Sequence, residues 1–126
     1  MENDDTLEIT SGGAWMKLCG QSLNHAVVIM RDIPGLLPSR DVPVFEKAHT
    51  IRIEKCNKNF VFYWCRESVF PNVTTVYLDS HPCEPCVLWR WGEDTTIWLG
   101  RRHEHYKRRW AKDREQVKIT DEFLNP

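Results

Sequence analysis

Five short apolar-rich segments of the chain read as strands: Ala26–Met30, Thr50–Ile53, Thr75–Leu78, Thr96–Leu99 and Val117–Thr120. All are rich in β-branched residues, which suit a pleated, half-buried surface. Where one residue separates two aliphatics, both lie on the same strand face, towards whatever covers the sheet. Aligning the segments on the first inward aliphatic picks out Val28, Ile51, Val76, Ile97 and Val117, with gaps of 23, 25, 21 and 20 residues. Spacing this even predicts stacked repeats that contribute one strand each. The intervening stretches read as helices. Asn59 is placed to cap a helix through Phe60, Tyr63, Trp64 and Glu67 that Pro71 stops. A second helix is expected from Pro85 to Trp91, with Gly92 at its end, and a third from His103 to Gln116. Helical crossovers join strands that run the same way, so a parallel sheet is expected. The stretch Ile33–Pro43, with Pro34, Gly35, Pro38 and Pro43, reads as a loop.

The local pattern narrows the fold class. Residues 48–56 read Ala48-x-x-Ile51-x-Ile53-x-x-Cys56, which fits the leucine-rich-repeat form L-x-x-L-x-L-x-x-[N/C]. Val73-x-x-Val76-x-Leu78 repeats it, with His81 where Asn or Cys would stand; the units beginning at Asp94 and Arg114 keep only the last two aliphatics. The expected fold is therefore α/β: a short leucine-rich-repeat-like solenoid of about five parallel strands in chain order, with crossover helices, and with Trp64 and Trp110 packed on the sheet. The alternative is an ordinary open α/β sheet with coincidentally even spacing. At 126 residues the chain reads as a single domain, 1–126.

Composition adds to this. The chain is 41% apolar and 28% charged, the balance of a globular protein, and its six tryptophans are expected to carry much of the core. No stretch approaches the roughly 18–20 apolar residues of a membrane span, and the acidic N-terminus lacks the apolar core of a signal peptide. An intracellular, non-secreted protein with reduced thiols is expected, since five cysteines cannot all pair within one chain. The sequon at Asn72-Val73-Thr74 is then chance.

The net charge of −1 is unevenly spread. Glu2, Asp4, Asp5 and Glu8 open the chain without a basic residue, whereas residues 101–114 are basic. On a helix, Arg101, Arg108 and Lys112 fall together with Arg102 and Arg109 beside them, opposite Tyr106, Trp110 and Val117. Such a face is usually solvated. Its alternative use is to track phosphates, as a nucleic-acid-binding helix.

The most motif-like stretch is His81-Pro82-Cys83-Glu84-Pro85-Cys86. Pro-Cys-x-x-Cys is half of the zinc-deaminase signature, but no histidine in the chain has a glutamate two residues later, so the proton shuttle of that chemistry is missing. A structural zinc would use Cys83 and Cys86 with His81, Cys56 or Cys65. A redox pair would want Cys83 exposed at a helix start. With no second Cys-x-x-Cys, the expectation is a reduced, metal-free turn, and no cofactor. His103-Glu104-His105 is not a zinc-protease motif, because residues two apart on a helix point nearly opposite ways, and both histidines are expected to be solvated.

The stretch Tyr63–Trp91, YWCRESVFPNVTTVYLDSHPCEPCVLWRW, resembles a recurring segment of small proteins from amoeba-infecting giant DNA viruses. The Phe-Pro-Asn-Val run, the Val76-Tyr77-Leu78 strand, the Ser80–Pro85 turn and His105-Tyr106-Lys107-Arg108-Arg109-Trp110-Ala111 carry the likeness, which covers about the C-terminal half and is strongest to marseillevirus-like members. It implies a leucine-rich-repeat-like viral protein of unassigned function, acting in the host cytoplasm or the virion. Together the readings give a non-enzymatic interaction or structural module with a protein partner. Uncovered sheet edges add the expectation of a homodimer.

Overall fold

The computed structural model describes residues 5–35, 41–65, 67–79, 91, 94–104 and 116–122. Among the described residues, eight strands and two α-helices follow one another: β1 (Thr6–Ile9), α1 (Gly12–Leu18), β2 (Ser22–Leu23), β3 (Val27–Arg31), β4 (Val44–Phe45), β5 (Thr50–Glu54), α2 (Lys58–Trp64), β6 (Thr75–Asp79), β7 (Thr96–Gly100) and β8 (Val117–Thr120). Six of the strands make one sheet in the order β1-β3-β5-β6-β7-β8, every pair parallel. β2 and β4 pair separately, also parallel. The result is a mixed α/β architecture whose main strands lie side by side in chain order.

The register is the one the apolar spacing predicts. Val28, Ile51, Val76, Ile97 and Val117 are direct neighbours across the sheet, and Leu7 of β1 extends the row. Two residues on, Ile9, Met30, Ile53, Leu78, Leu99 and Ile119 form a second inward row. Most of these side chains are completely buried. Over them lies an aromatic layer. Trp15 of α1 packs edge-on to Phe60 and Trp64 of α2 with ring centroids 5.0 and 5.5 Å away, and Phe45 of β4 stacks on Phe70 at 4.8 Å.

Neighbouring strands are also tied together at their C-terminal ends. Asp32 after β3 and Lys55 after β5 both adopt left-handed backbone, with φ of 58° and 54°. Each donates its N–H to the last residue of the next strand, Asp32 to Glu54 and Lys55 to Asp79, both at 3.0 Å. Cys56 then turns its thiol inward, donating to the Met30 carbonyl of β3 at 3.5 Å. Left-handed backbone costs a non-glycine residue about 1–2 kcal/mol, and glycine's extra chain entropy costs about 0.5–1 kcal/mol. Lys55 is exposed, so Lys55→Gly is expected to raise stability by up to about 1 kcal/mol. A lowered urea midpoint would show that the lysine side chain is instead needed at the turn.

The structure departs from the sequence reading in several places. There are six strands in the main sheet rather than about five, because the acidic N-terminal segment is itself a strand: Leu7 and Ile9 alternate inward while Glu8 faces out. α1 was not foreseen, its first two residues being glycine, yet Ser11 caps it by accepting from the Ala14 N–H at 3.0 Å. The cap of α2 is Asn57, not Asn59, because it is the Asn57 carboxamide that accepts from an N–H of the first turn. α2 ends at Trp64, well before Pro71, where the Cys65 N–H closes the last turn on Val61. Arg101–His103 form a 3-10 turn, and His103 is buried rather than solvated. The helix expected at 85–91 except Trp91, most of the one expected at 103–116, and Trp110 lie outside the described residues.

Candidate functional site

The face of the sheet opposite the aromatic layer is built from the alternate residue of each strand. Read across the register, its middle row is Glu8, Ile29, Arg52, Tyr77, Trp98 and Lys118. Parallel strands in register hold like positions about 4.8 Å apart, so the four large side chains in this row must stack. Tyr77 and Trp98 lie nearly parallel, with centroids 6.2 Å apart and planes 14° apart. The Arg52 guanidinium covers the other face of Tyr77 at 5.1 Å, and the Lys118 ammonium lies over Trp98 at 5.7 Å. The row is thus a pile of cation, ring, ring and cation. Each cation–π contact contributes about 0.5–1 kcal/mol at exposed sites, and both ring faces are engaged, leaving the edges turned outward.

Beside this row runs a chain of ion pairs. Arg31 reaches Glu8 at 3.2 Å and Glu54 at 3.0 Å; Arg52 meets Glu54 at 3.0 Å and also Glu122, which follows β8. Burial opposes ionisation of Glu54, but hydrogen bonds and charge from Arg31 and Arg52 outweigh it and hold its carboxyl below the ordinary value of 4.5. A carboxyl with a lowered folded pKa stabilises the fold above its unfolded pKa, and that contribution is lost as pH falls through the folded value. Glu54→Gln is therefore expected to be less stable than the parent at neutral pH, by on the order of 1 kcal/mol, with the difference shrinking below pH 4.5. Urea unfolding across that range checks this, and a gap independent of pH would contradict it.

A third group closes one end of the face. Asp79 is buried beside Arg102 at 3.1 Å and His103 Nε2 at 3.5 Å. Burial pushes its carboxyl above the usual aspartate value, with Arg102 opposing. Arg101 pairs with Asp121 at 2.7 Å and with Glu104 at 3.5 Å. Of the basic residues singled out in the sequence, Arg101 and Arg102 thus both meet carboxylates, while Arg108, Arg109 and Lys112 lie outside the described residues. His81, Cys83 and Cys86 also lie outside them. Cys56 and Cys65 are buried in the core; burial pushes the Cys56 thiol up to about 11 and raises Cys65 as well. Among the described residues, no cluster of three or more His, Cys, Asp or Glu could hold a metal ion, and no helix is long and apolar enough to cross a membrane.

The Cys-rich turn and the basic stretch stand out in the sequence, whereas Arg52, Tyr77, Trp98 and Lys118 do not. The signal was present: each is the single residue between two inward aliphatics, so the repeat alignment already puts the four in one line.

A family model described as "Family of unknown function (DUF5845)" matches residues 28–111. The chain is 42% identical to "Uncharacterized protein R849" of Acanthamoeba polyphaga mimivirus over 105 residues, 83% of this chain and 72% of that protein. It is 30% identical to "Uncharacterized protein L163" of the same virus over 97 residues, 77% of this chain and 68% of the relative. Both relatives come from a giant virus of amoebae, though from a mimivirus rather than a marseillevirus-like one, and both matches extend well beyond the C-terminal half. No solved structure matches the chain.

Proposed function

We propose that this chain, which belongs to the DUF5845 family of unknown function, is a non-enzymatic interaction module: a single-domain, leucine-rich-repeat-like solenoid that binds a protein partner on the outward face of its sheet. The observation that carries this reading is the Arg52–Tyr77–Trp98–Lys118 pile on that face. Tyrosine, tryptophan and arginine dominate the energetic centres of protein interfaces, and solenoids use their extended sheet faces for binding. The turns at Asp32 and Lys55, and the Cys56 thiol bonded to β3, support the solenoid. The raised thiol pKa of Cys56 and Cys65 supports a non-nucleophilic role, because the thiolate is the reactive form. Cys83 and Cys86 belong to the same reading as reduced, metal-free residues; about one zinc per chain by elemental analysis would reverse it.

The partner is a viral or host protein met in the cytoplasm or the virion. The test is affinity capture from infected amoebae with the parent chain, with Tyr77→Ala/Trp98→Ala, and with Met16→Ala as an exposed control away from the sheet face. A partner retained by the parent and the control but lost with the double variant is expected. Equal retention by all three would move the interface elsewhere.

A homodimer fits the other end of the stack. Among the described residues β1 pairs only with β3, and a cleft of about 400 Å³ beside it is lined by Leu7, Ala14 and Leu18. An open edge strand next to apolar side chains favours pairing with a second copy. Light scattering should give about twice 14.9 kDa; a monomer mass that does not rise with concentration would rule the dimer out.

A further inference from the structure

The outward face of the sheet has a charge chemistry of its own, which matters only if that face is the binding surface proposed for it. We propose that the Arg52–Tyr77–Trp98–Lys118 pile takes an acidic peptide segment of the partner, and that Glu122 of this chain occupies the place of one of its carboxylates. With both faces of each ring engaged, the pile turns its ring edges outward. Ring edges are the positive part of the aromatic quadrupole, and a cation stands at each end, so the whole strip favours negative charge. The acids near it are spoken for. Glu54 is held by Arg31 and Arg52, and Asp79 is buried against Arg102 and His103.

The chain itself demonstrates the contact. Glu122 lies just beyond β8, three strands away from β5, and yet its carboxylate meets the Arg52 guanidinium. The turn that carries it is pinned by Arg101 on Asp121 and by the Glu122 N–H on the Thr120 hydroxyl at 3.1 Å. The Glu122 side chain is half-exposed, whereas Arg52 is largely covered. An exposed carboxylate on one well-positioned guanidinium is readily exchanged for another. A partner segment with several carboxylates engages Arg52 and Lys118 together, which Glu122 alone does not. The same arrangement makes Glu122 a competitor that keeps weakly acidic segments off the face.

Fluorescence anisotropy of a labelled deca-glutamate peptide on the full chain tests this at low salt, with deca-lysine and a ten-nucleotide oligothymidylate as comparisons. Saturable binding of deca-glutamate alone is expected. Arg52→Ala and the charge reversal of exposed Lys118, Lys118→Glu, should each weaken it at least ten-fold, and Glu122→Gln should tighten it several-fold. Lys118 is exposed, so the effect of Lys118→Glu stands even if Arg52→Ala unfolds. Absent glutamate binding, equal binding by Lys118→Glu, or preference for the oligonucleotide would overturn the proposal. If deca-glutamate fails while Tyr77→Ala/Trp98→Ala still loses the captured partner, the face stands and only its acidic chemistry falls.

Discussion

Replacing Trp15 with alanine is expected to cost the fold about 3–5 kcal/mol, which takes most of the stability of a protein at the lower end of the usual range of about 5–15 kcal/mol. Trp15 is completely buried, and it is where three elements meet: its ring lies 6.0 Å from Phe45 of β4, 5.0 Å from Phe60 and 5.5 Å from Trp64 of α2. Alanine would remove an indole that no neighbour can replace, because Phe45 is already held by its stack on Phe70. The cavity adds to the lost burial, since close-packed side chains collapse only partly around a void. Urea unfolding followed by circular dichroism gives the difference directly. A loss under about 1 kcal/mol, the size of a typical surface change, would mean that α1 does not seal the aromatic layer.

The second large effect separates two adjacent residues of one strand. Val76→Asp should abolish folding at neutral pH, whereas Tyr77→Asp should leave a folded protein that has lost its stacking row. Val76 is 2% exposed and lies between Ile51 and Ile97 in the inward row. Its neighbours in the row, Ile51 and Ile97, offer a carboxylate neither charge nor a hydrogen bond, and burying one unpaired costs several kcal/mol. Tyr77, one residue later, points to the opposite face, and its ring touches Trp98 and Arg52 rather than the core. A one-residue slip of register would exchange these outcomes, because it flips every side chain to the other face. Equal tolerance at both positions would therefore refute the pairing of β5, β6 and β7.

What was legible in the sequence was whatever a local period could encode. Val28, Ile51, Val76, Ile97 and Val117 align in the sheet as their spacing predicts, because evenly spaced strands bring these five aliphatics to the same level. β1 was hidden by Asp5 and Glu8, whose charges suggest a solvated tail, although Leu7 and Ile9 carry the same alternation as the other strands. The Asn57 cap lies two residues from the one expected, since Asn57 and Asn59 are chemically equal and only backbone geometry selects between them. The neighbours of His103 in the chain suggest a solvated ring, but it packs against Asp79, which β6 supplies from a distance in sequence. The candidate site failed to stand out for the same reason. Arg52, Tyr77, Trp98 and Lys118 are separated by 25, 21 and 20 residues and become a row only when four strands are laid side by side.

A partner bound on the outward face of the sheet should be within reach of a photo-reactive side chain placed there. Two variants make the comparison: Trp98→p-benzoylphenylalanine and, as a control, Met16→p-benzoylphenylalanine, each irradiated in infected amoebae. Trp98 stands in the middle of the stacked row, and Met16 is an exposed residue of α1. A discrete crosslinked adduct is expected from position 98 that is missing from position 16 and fades when Lys118→Glu is added. An adduct formed only from position 16, or equally from both, would mean that the partner does not bind on this face.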